Sequence, residues 1–394
     1  MLVARRLRDD PTVTAFVPPM DLSSRLRRLL RRREITRSFT PYRMSRPEGN
    51  DRFSHHRSEH GDSLLRQLPP CDVINLHWIA TFVDYQAFFP EVIRHTPVVW
   101  RLPDMNPFTG GCHYDDGCGR FAERCGACPQ LGSTDPEDLS ASIWRRKQAI
   151  YGRIVPGGVH IVATSRWMAD QVEGSVLLHG FPVTIIPNGV DTEDFSPRDQ
   201  RFARNLFDIP QEAKVVLFAA TSLDNRRKGF ELLVQALARI RDVPKLLLVS
   251  VGRGKALIDG RIPHVHLGHM ENDRSLSLAY SAADVFAIPS RQEAFGLTAL
   301  ESLACGTPVV GFAAGGVPDM VRPGITGLLA PVHDVKALGS AIVQVLQDPE
   351  ARAEMAANCR RIAVQEYALE TQAQRYRALY EMVLANHSRS RTVR

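Results

Sequence analysis

One continuous stretch, residues 284–312, constrains the fold more than any other part of the sequence. An apolar run, a polar loop, a helical segment and a second apolar run follow one another: 284–288, 289–296, 297–305 and 309–312. Pro289 ends the first run, and Gly306 with Pro308 ends the helical segment. Strand, loop, helix and strand in this order predict a doubly wound α/β sheet. In such sheets ligands bind beyond the carboxyl ends of the strands, which is where the polar loop lies.

The loop and the start of the helix carry groups suited to a phosphorylated sugar. The backbone amides of Phe295, Gly296 and Leu297 open the helix, and a helix N-terminus binds phosphate. Glycine at 296 lets the backbone approach such a group closely. Glu293 and Glu301 flank this point, and carboxylates accept hydrogen bonds from hydroxyls. An isolated glutamate pair is more typical of a helix cap and a solvated helix face, but beside a phosphate site it indicates a nucleotide-sugar.

The pattern Glu293-x7-Glu301, with Phe295-Gly296 inside it, resembles the donor-site signature of the family-4-type retaining glycosyltransferases (glycosyl transferases group 1), which have the GT-B fold. Other segments are similar to family motifs and stand in the family's order: Pro187–Asp191 with Phe195, Lys228–Gly229, Gly315–Asp319 and Gly324–Leu329. Together these motifs are specific, although each alone is weak. The resemblance is strong from about residue 70 to the end of the sequence and weaker before it.

The resemblance implies an α/β protein with two Rossmann-like, doubly wound domains that face a central cleft. We expect an N-terminal acceptor-side domain at 1–185, a donor domain at 186–367, and a C-terminal helix at 368–394 that packs back on the first domain. The implied enzyme moves a sugar from a nucleoside-diphosphate sugar to a polysaccharide or lipid-linked oligosaccharide. A nucleotide-sugar epimerase on the same fold, and a catalytically degenerate binding module, are alternative interpretations.

The resemblance also implies roles for single residues. Glu293 is expected to be catalytic and to orient the transferred sugar, while Glu301 is expected to hold the ribose. The other donor-binding residues would neutralise or contact the diphosphate: Lys228, Arg226, Arg227, Phe295, Gly296 and Leu297. His77 and Asp104 follow two strand-like runs and are expected on the acceptor side, although a histidine in such a place is more often a satisfied core residue. No divalent metal or other cofactor is expected to be required for catalysis.

The sequence departs from the family pattern in three places. The family's first strand, glycine-rich loop and helix, about 35 residues, are expected to be missing from this chain. Pro103 stands where the family usually has a histidine that touches the sugar. Ser222 and Leu223 stand where a phosphate-binding arginine is usual, so Arg226 or Arg227 would have to replace it. Activity is therefore less strongly implied than the fold.

A cysteine-rich segment lies between positions 112 and 128. Its thiols are Cys112, Cys118, Cys125 and Cys128, with His113 beside the first. The last two form a C-x-x-C pair, and zinc takes four such ligands in a tetrahedral site. The other spacings are looser than in a zinc ribbon. A structural zinc, free thiols in a rigid loop, and disulfides therefore all remain open, and the similarity of 100–131 to a cysteine-rich loop in one branch of the family does not choose among them.

Near the N-terminus, a predicted short helix is both basic and amphipathic. Four leucines fall on one face at helical spacing and arginines cover the rest: Leu22, Leu26, Leu29, Leu30, Arg25, Arg27, Arg28, Arg31, Arg32 and Arg33. Such a helix can lie on an anionic membrane surface. Alternatively, its leucines belong to the domain core and its arginines are solvated. The polar residues 34–60 are expected to form a mobile loop.

Composition narrows the partners and the compartment. The 394 residues carry a net charge of +6, which suits anionic partners without choosing among them. Nucleic acid is disfavoured because aromatic residues are 7% of the chain and do not interleave with the arginines as stacking platforms would. The N-terminal residues lack an apolar secretory segment. We therefore expect a cytoplasmic protein, on the inner face of the cytoplasmic membrane if the basic helix binds lipid, with its seven cysteines mostly reduced.

Overall fold

The computed structural model describes residues 16–155, 157–255, 258 and 262–392. Its first sheet has four parallel strands in the order β1-β2-β3-β4. These strands are β1 (Ile74–His77), β2 (Val98–Leu102), β3 (Val159–Ala163) and β4 (Val183–Ile185). In the described part of the chain, β1 forms one edge of this sheet.

The second sheet has six parallel strands in the order β10-β9-β8-β5-β6-β7. The strands are β5 (Lys214–Ser222), β6 (Leu246–Arg253), β7 (His264–His266), β8 (Val285–Ile288), β9 (Val309–Phe312) and β10 (Gly327–Ala330). All residues of β8 and β9 are buried, which explains why their sequences are continuous apolar runs rather than alternating ones. Strands β5 and β8 are neighbours, and successive strands are added outward on one side of β5 and then on the other side of it, from β8 onward. The loops at the carboxyl ends of β5 and β8 carry the predicted donor site.

Eleven α-helices lie in the described part of the chain. They are α1 (Leu22–Phe39), α2 (Tyr85–Val92), α3 (Leu139–Tyr151), α4 (Arg166–Glu173), α5 (Gln200–Leu206), α6 (Phe230–Leu237), α7 (Asp273–Ala282), α8 (Leu297–Ala304), α9 (Val335–Gln347), α10 (Pro349–Tyr367) and α11 (Leu369–Thr392). No helix in the described part of the chain is long and apolar enough to cross a membrane.

The last helix joins the two halves of the molecule. Tyr376, Leu379 and Val383 of α11 form one apolar cluster with Val99 and Val162 of the first sheet. The helix that follows the second sheet therefore packs on the first sheet. Two parallel, Rossmann-like sheets with this returning helix confirm the predicted α/β, GT-B-type fold class.

The segment between α1 and β1 differs from the sequence-based expectation. The first helix continues to Phe39, and residues 54–56 and 58 are buried rather than forming a mobile loop. Phe53 bridges Cys112 in antiparallel pairing, and Ser54 N donates to Gly111 O over 2.8 Å. The expectation of a mobile loop is wrong here because backbone pairing with the cysteine-rich segment holds these polar residues, a long-range contact that composition alone does not reveal.

Candidate functional site

The predicted catalytic carboxylate lies in a buried ionic cluster at the junction of the two sheets. Glu293 is only 4% exposed, and its Oε1 accepts hydrogen bonds from Lys228 Nζ at 2.6 Å and Ser290 Oγ at 2.9 Å. A nitrogen of Arg227 lies 3.3 Å from the same oxygen. Burial alone would raise the pKa of Glu293, but the charges of Lys228 and Arg227 outweigh it and hold the pKa at about 2. Glu293 is therefore ionised at neutral pH.

The loop that carries Glu293 is held by close backbone contacts. Gly316 N donates to Glu293 O over 2.9 Å. Gly315 has φ of 56°, and a Cβ there would lie 1.9 Å from that same oxygen, so the approach requires glycine. On the other side, Ser165 Oγ donates to Ala294 O over 2.6 Å, and Ala294 belongs to the apolar core of the first sheet. The loop thus contacts both domains.

The start of α8 matches the predicted anion site. Gly296 caps the helix with φ of 99°, and no side chain caps it, so the first amides of the helix are not bonded by a cap residue. Phe295 is buried with its ring centroid 6.1 Å from that of Tyr367, while Leu297 is 48% exposed. The sequence-based helix bounds are therefore nearly correct, and the helix begins at the predicted residue.

The second glutamate lies farther along the same helix in a different environment. Glu301 is partly buried, and Tyr280 OH donates to its Oε2 over 2.8 Å. Burial raises the pKa of Glu301 to about 7, even though the Tyr280 hydrogen bond and the charge of Lys228 act in the opposite direction. The two glutamates are thus held in different states near pH 7, since Glu293 is fully ionised and Glu301 is close to half protonated.

The three predicted cations do not behave alike. They form a 3-10 turn, Arg226–Lys228, after β5. Lys228 and Arg227 reach Glu293, whereas Arg226 is bonded through its backbone, to Gly49, Gly229 and Arg291. The predicted phosphate role therefore has geometric support at Lys228 and Arg227, and stays a prediction without such support at Arg226. Lys228, Glu293 and Glu301 are called the donor wall below.

Residues that the sequence analysis missed face the donor wall. Arg227 forms an ion pair with Asp51, and its guanidinium lies 3.9 Å from the ring centroid of Tyr114. Next to them, Gln292 Nε2 donates to Asp115 Oδ1 over 2.6 Å. Asp51 lies in a polar segment without any motif, so no sequence signal marks it.

Asp104, the predicted acceptor-side residue, is the centre of a buried hydrogen-bond chain. Its Oδ2 lies 2.7 Å from His113 Nδ1 and accepts from Trp78 Nε1 over 3.1 Å. His113 Nε2 in turn lies 2.8 Å from Ser54 Oγ. Pro103 removes the usual histidine before Asp104, yet His113 contacts the carboxylate from the next loop. Asp51, Asp104 and Tyr114 are called the facing wall below.

His77, the other acceptor-side candidate, points toward the returning helix. Its ring centroid lies 6.1 Å from that of Tyr376 in α11. No hydrogen bond or ring contact within the described residues joins His77 to Asp104 or Glu293. Its acceptor role stays a prediction.

The cysteine-rich segment packs beside the facing wall. Cys112, Cys125 and Cys128 are buried, Cys118 is partly buried, and all four are free thiols. Burial raises the pKa of the Cys125 thiol to about 12, so the unliganded group is neutral. Across the residues that the structure describes, no group of three or more His, Cys, Asp or Glu side chains is arranged to hold a metal ion. As placed, these thiols do not fit a zinc ion, and the structural zinc stays a prediction.

A comparison of the sequence with protein families indicates which kind of domain contains the donor wall. Residues 199–362 match the family model described as "Glycosyl transferases group 1". Over these residues the second domain is similar to the group 1 glycosyltransferases. The match includes every residue of the donor wall and both apolar strands on either side of α8.

Curated relatives agree with this glycosyltransferase domain. A "D-inositol 3-phosphate glycosyltransferase" of Actinosynnema mirum is 33% identical over 224 residues, which is 52% of this chain and 53% of the relative. The protein of the same description from Stackebrandtia nassauensis is 37% identical over 193 residues, 44% of this chain and 43% of the relative. The chain thus spans about half the length of the curated relatives it matches.

Solved glycosyltransferase structures extend the similarity to both domains. "Sucrose-phosphate synthase" from Thermosynechococcus elongatus has a TM-score of 0.61 and 25% identity, covering 80% of this chain and 74% of that one. Anabaena HepE in complex with UDP and glucose has a TM-score of 0.57 and 20% identity, covering 79% and 77%. The second of these likenesses shows the fold alone.

Proposed function

We propose that this protein is a retaining glycosyltransferase that moves a sugar from a nucleoside-diphosphate sugar to a hydroxyl of a glycan or lipid-linked acceptor. One observation carries the proposal. Glu293 is ionised and buried between Lys228 and Arg227, at the junction of the domains and beside an uncapped helix N-terminus. Buried anionic and cationic side chains in direct contact suit a substrate that has both hydroxyls and phosphates.

The cations and the helix start would bind the diphosphate. Negative charge develops on the phosphate as its bond to the sugar breaks, so donors already in position stabilise the transition state. Without a donor, the Glu293 carboxylate forms an ion pair with the Lys228 ammonium, so the buried charges are balanced. With a donor, Lys228 would turn to the phosphate and Glu293 would accept hydroxyls of the transferred sugar. Glu301 would accept the ribose hydroxyls.

The reaction would proceed on one face of the sugar. The bond from the anomeric carbon to the diphosphate oxygen breaks, and the bond to the acceptor oxygen forms on the same side. The acceptor proton passes to the departing phosphate oxygen, so no protein base is required. This scheme also needs no divalent metal, because Lys228, Arg227 and the amides at the start of α8 balance the charge. EDTA should therefore leave transfer unchanged. Loss of transfer that magnesium or manganese restores would contradict this part of the scheme.

The acceptor would enter from the facing wall. A pocket of about 490 Å³ lies between α1 and residues 53–60, and its lining includes Phe39, Phe53 and Phe82 beside charged groups. Ser54 lines this pocket and, through His113, connects to Asp104. Aromatic faces beside polar groups are typical of carbohydrate sites. A cytoplasmic location stays a prediction, and membrane binding is a separate proposal because it depends on α1 rather than on the cleft.

Nucleotide binding is the first measurement. Thermal unfolding is followed with UDP, GDP, ADP and CMP, for the wild type and for Glu301→Ala. A nucleotide at 100 times its Kd adds about 2.7 kcal/mol of stability. We expect a shift with one nucleotide, UDP first because the HepE structures hold UDP and UDP-glucose, and its loss in the variant. Glu231→Ala is the matched control, because Glu231 pairs with Arg291 outside the donor wall.

Three results would count against the proposal. A folded wild type without any shift would overturn the donor site. A nucleotide-induced shift in the unfolding temperature that persists in Glu301→Ala would show that Glu301 does not hold the ribose. Turnover of the donor sugar into an epimer without any acceptor would favour the epimerase. Metal analysis of the purified protein tests the structural zinc independently.

A further inference from the structure

The first helix presents its apolar face to solvent. Leu22, Leu26, Leu29 and Leu30 follow one another at helical spacing and are 86%, 57%, 51% and 54% exposed. None of the residues of α1 is buried. The alternative in which these leucines belong to the domain core is therefore wrong. A helix normally turns its leucines inward, so this orientation needs a cause.

The cause lies on the opposite face of the helix, which is basic. The partly buried positions of α1 include Arg28 and Arg31, and the guanidinium of Arg31 packs on Gly61. Arg32 lies 3.9 Å from Glu59. Polar contacts with residues 59–62 thus hold the basic face against the body of the protein and leave the leucine row outside.

Arginines continue the exposed row. Arg33 and Arg37 lie 11 and 15 positions after Leu22, which places them on the leucine side of the helix. Both are exposed, and no acidic side chain of the described residues lies within ion-pair distance of them. One surface of α1 therefore carries four leucines followed by two cations without an ion-pair partner in the described part of the chain. This surface is called the leucine–arginine row.

We propose that the leucine–arginine row docks on an anionic lipid bilayer. The leucines would insert among the upper parts of the acyl chains, and Arg33 and Arg37 would pair with lipid phosphates. A helix that lies in the interface combines an apolar stripe with cations at its border, since the two contributions together give stable binding where either alone is weak. The neighbouring 490 Å³ pocket shares α1 as a wall, so a bilayer on the row lies beside the entrance proposed for the acceptor.

Flotation with vesicles tests this proposal without any nucleotide. The full chain is mixed with phosphatidylcholine vesicles, and with vesicles of phosphatidylcholine and phosphatidylglycerol in a ratio of about 7:3. We expect binding to the anionic vesicles that weakens as salt is raised. The double variants Leu26→Ser/Leu29→Ser and Arg33→Glu/Arg37→Glu should each bind at least about tenfold more weakly.

Matched controls separate the row from general surface properties. Phe202→Ser/Leu206→Ser removes two exposed apolar groups of α5, and Arg239→Glu/Arg241→Glu makes the same charge change after α6. Both controls should bind vesicles like the wild type. Unfolding temperature and the nucleotide-induced shift are measured for every variant, so loss of lipid binding is not confused with misfolding or with failure of the proposed donor site.

Several outcomes would overturn the proposal. The proposal fails if the wild type does not float with anionic vesicles, or if the variants of the leucine–arginine row float as well as the controls do. Equal binding to neutral and to anionic vesicles would show that Arg33 and Arg37 do not contribute to binding. If Leu26→Ser/Leu29→Ser instead converts a dimer to a monomer in sedimentation, the row is a self-association surface.

Discussion

The donor wall and the facing wall of the cleft are built differently. The donor wall takes Lys228, Glu293 and Glu301 from neighbouring elements of one sheet, and two of the three lie within a single loop–helix unit. The facing wall collects Asp51, Asp104 and Tyr114 from separate loops, and Asp51 contacts a residue 176 positions away. The donor wall therefore depends on local backbone geometry, whereas the facing wall depends on how distant segments pack.

This difference has a functional consequence. A site whose groups are fixed by one strand, one turn and one helix keeps its geometry when surrounding loops change. A site assembled from several loops can be altered by a change in any of them. We therefore expect substitutions in the donor wall to affect chemistry more than stability, and substitutions in the facing wall to affect stability more than nucleotide affinity.

The largest effect is expected for Glu293→Gln. The neutral amide cannot balance Lys228 and Arg227, and it accepts sugar hydroxyls less strongly than a carboxylate, so turnover should fall by about 10²–10³-fold. Nucleotide affinity should change only a few-fold. The measurement is the rate of nucleoside diphosphate release from the donor sugar, with Glu231→Gln as the control. Wild-type turnover in Glu293→Gln would show that the donor wall does not perform the chemistry.

Asp104→Asn tests the facing wall. Asp104 Oδ2 accepts from His113 and Trp78, and its Oδ1 accepts from the Asn106 backbone N–H. The new NH2 group would therefore oppose an N–H donor in either orientation, which should lower the free energy of unfolding by about 1–3 kcal/mol. Nucleotide affinity should stay unchanged. Denaturant unfolding and nucleotide titration measure the two quantities, and Asp116→Asn, on the exposed part of the same segment, is the control. A large loss of nucleotide affinity at unchanged stability would break the distinction between the walls.

The pKa of Glu301 predicts a pH dependence within the donor wall. In the proposed function its carboxylate would have to be ionised to accept both ribose hydroxyls, and burial raises the pKa of this group to about 7. Nucleotide binding should therefore release a proton, and affinity should fall about tenfold between pH 8 and pH 6. Calorimetric titration of the nucleotide between pH 6 and pH 8 measures both the affinity and the released proton.

Glu301→Gln is the control for this pH dependence. It removes the titrating group while keeping the shape of the side chain, so the remaining slope belongs to the nucleotide phosphate. An equal slope in wild type and variant would show that Glu301 does not bind the ligand.

Asp51→Asn should have the smallest effect. It weakens the ion pair with Arg227 across the two domains and should lower the free energy of unfolding by about 1–2 kcal/mol. The control is Glu381→Gln, which breaks an exposed pair with Arg377 in α11 and should change the free energy of unfolding by less than about 0.5 kcal/mol. Denaturant unfolding compares the two. Equal effects would show that the contact across the cleft adds no stability.

The sequence predicted what local patterns determine. The helix at Leu297–Ala304 and the strands on either side of it follow from short motifs with fixed geometry.

The remainder depended on contacts that no pattern of spacing records. The burial of residues 54–56 results from pairing with the cysteine-rich segment, and the pair of Asp51 with Arg227 joins distant parts of the chain. The orientation of α1 was undecided because a leucine stripe with arginines fits a core helix and a lipid-binding helix equally well. Glu59 and Asp62 determine the orientation of α1, because the folded chain places them beside Arg32 and Arg31. The sequence alone does not show that these residues are close together.

The double attachment of the loop at Ala294 would, in the proposed function, couple closure of the two domains to assembly of the site. If the two domains separated, the hydrogen bond from Ser165 to Ala294 O would break and Ala294 would leave the apolar core of the first domain. Glu293 would stay with the second domain, because its carbonyl accepts from Gly316 N. A donor bound in such an open state would meet an incomplete site, which would limit its hydrolysis until an acceptor is enclosed.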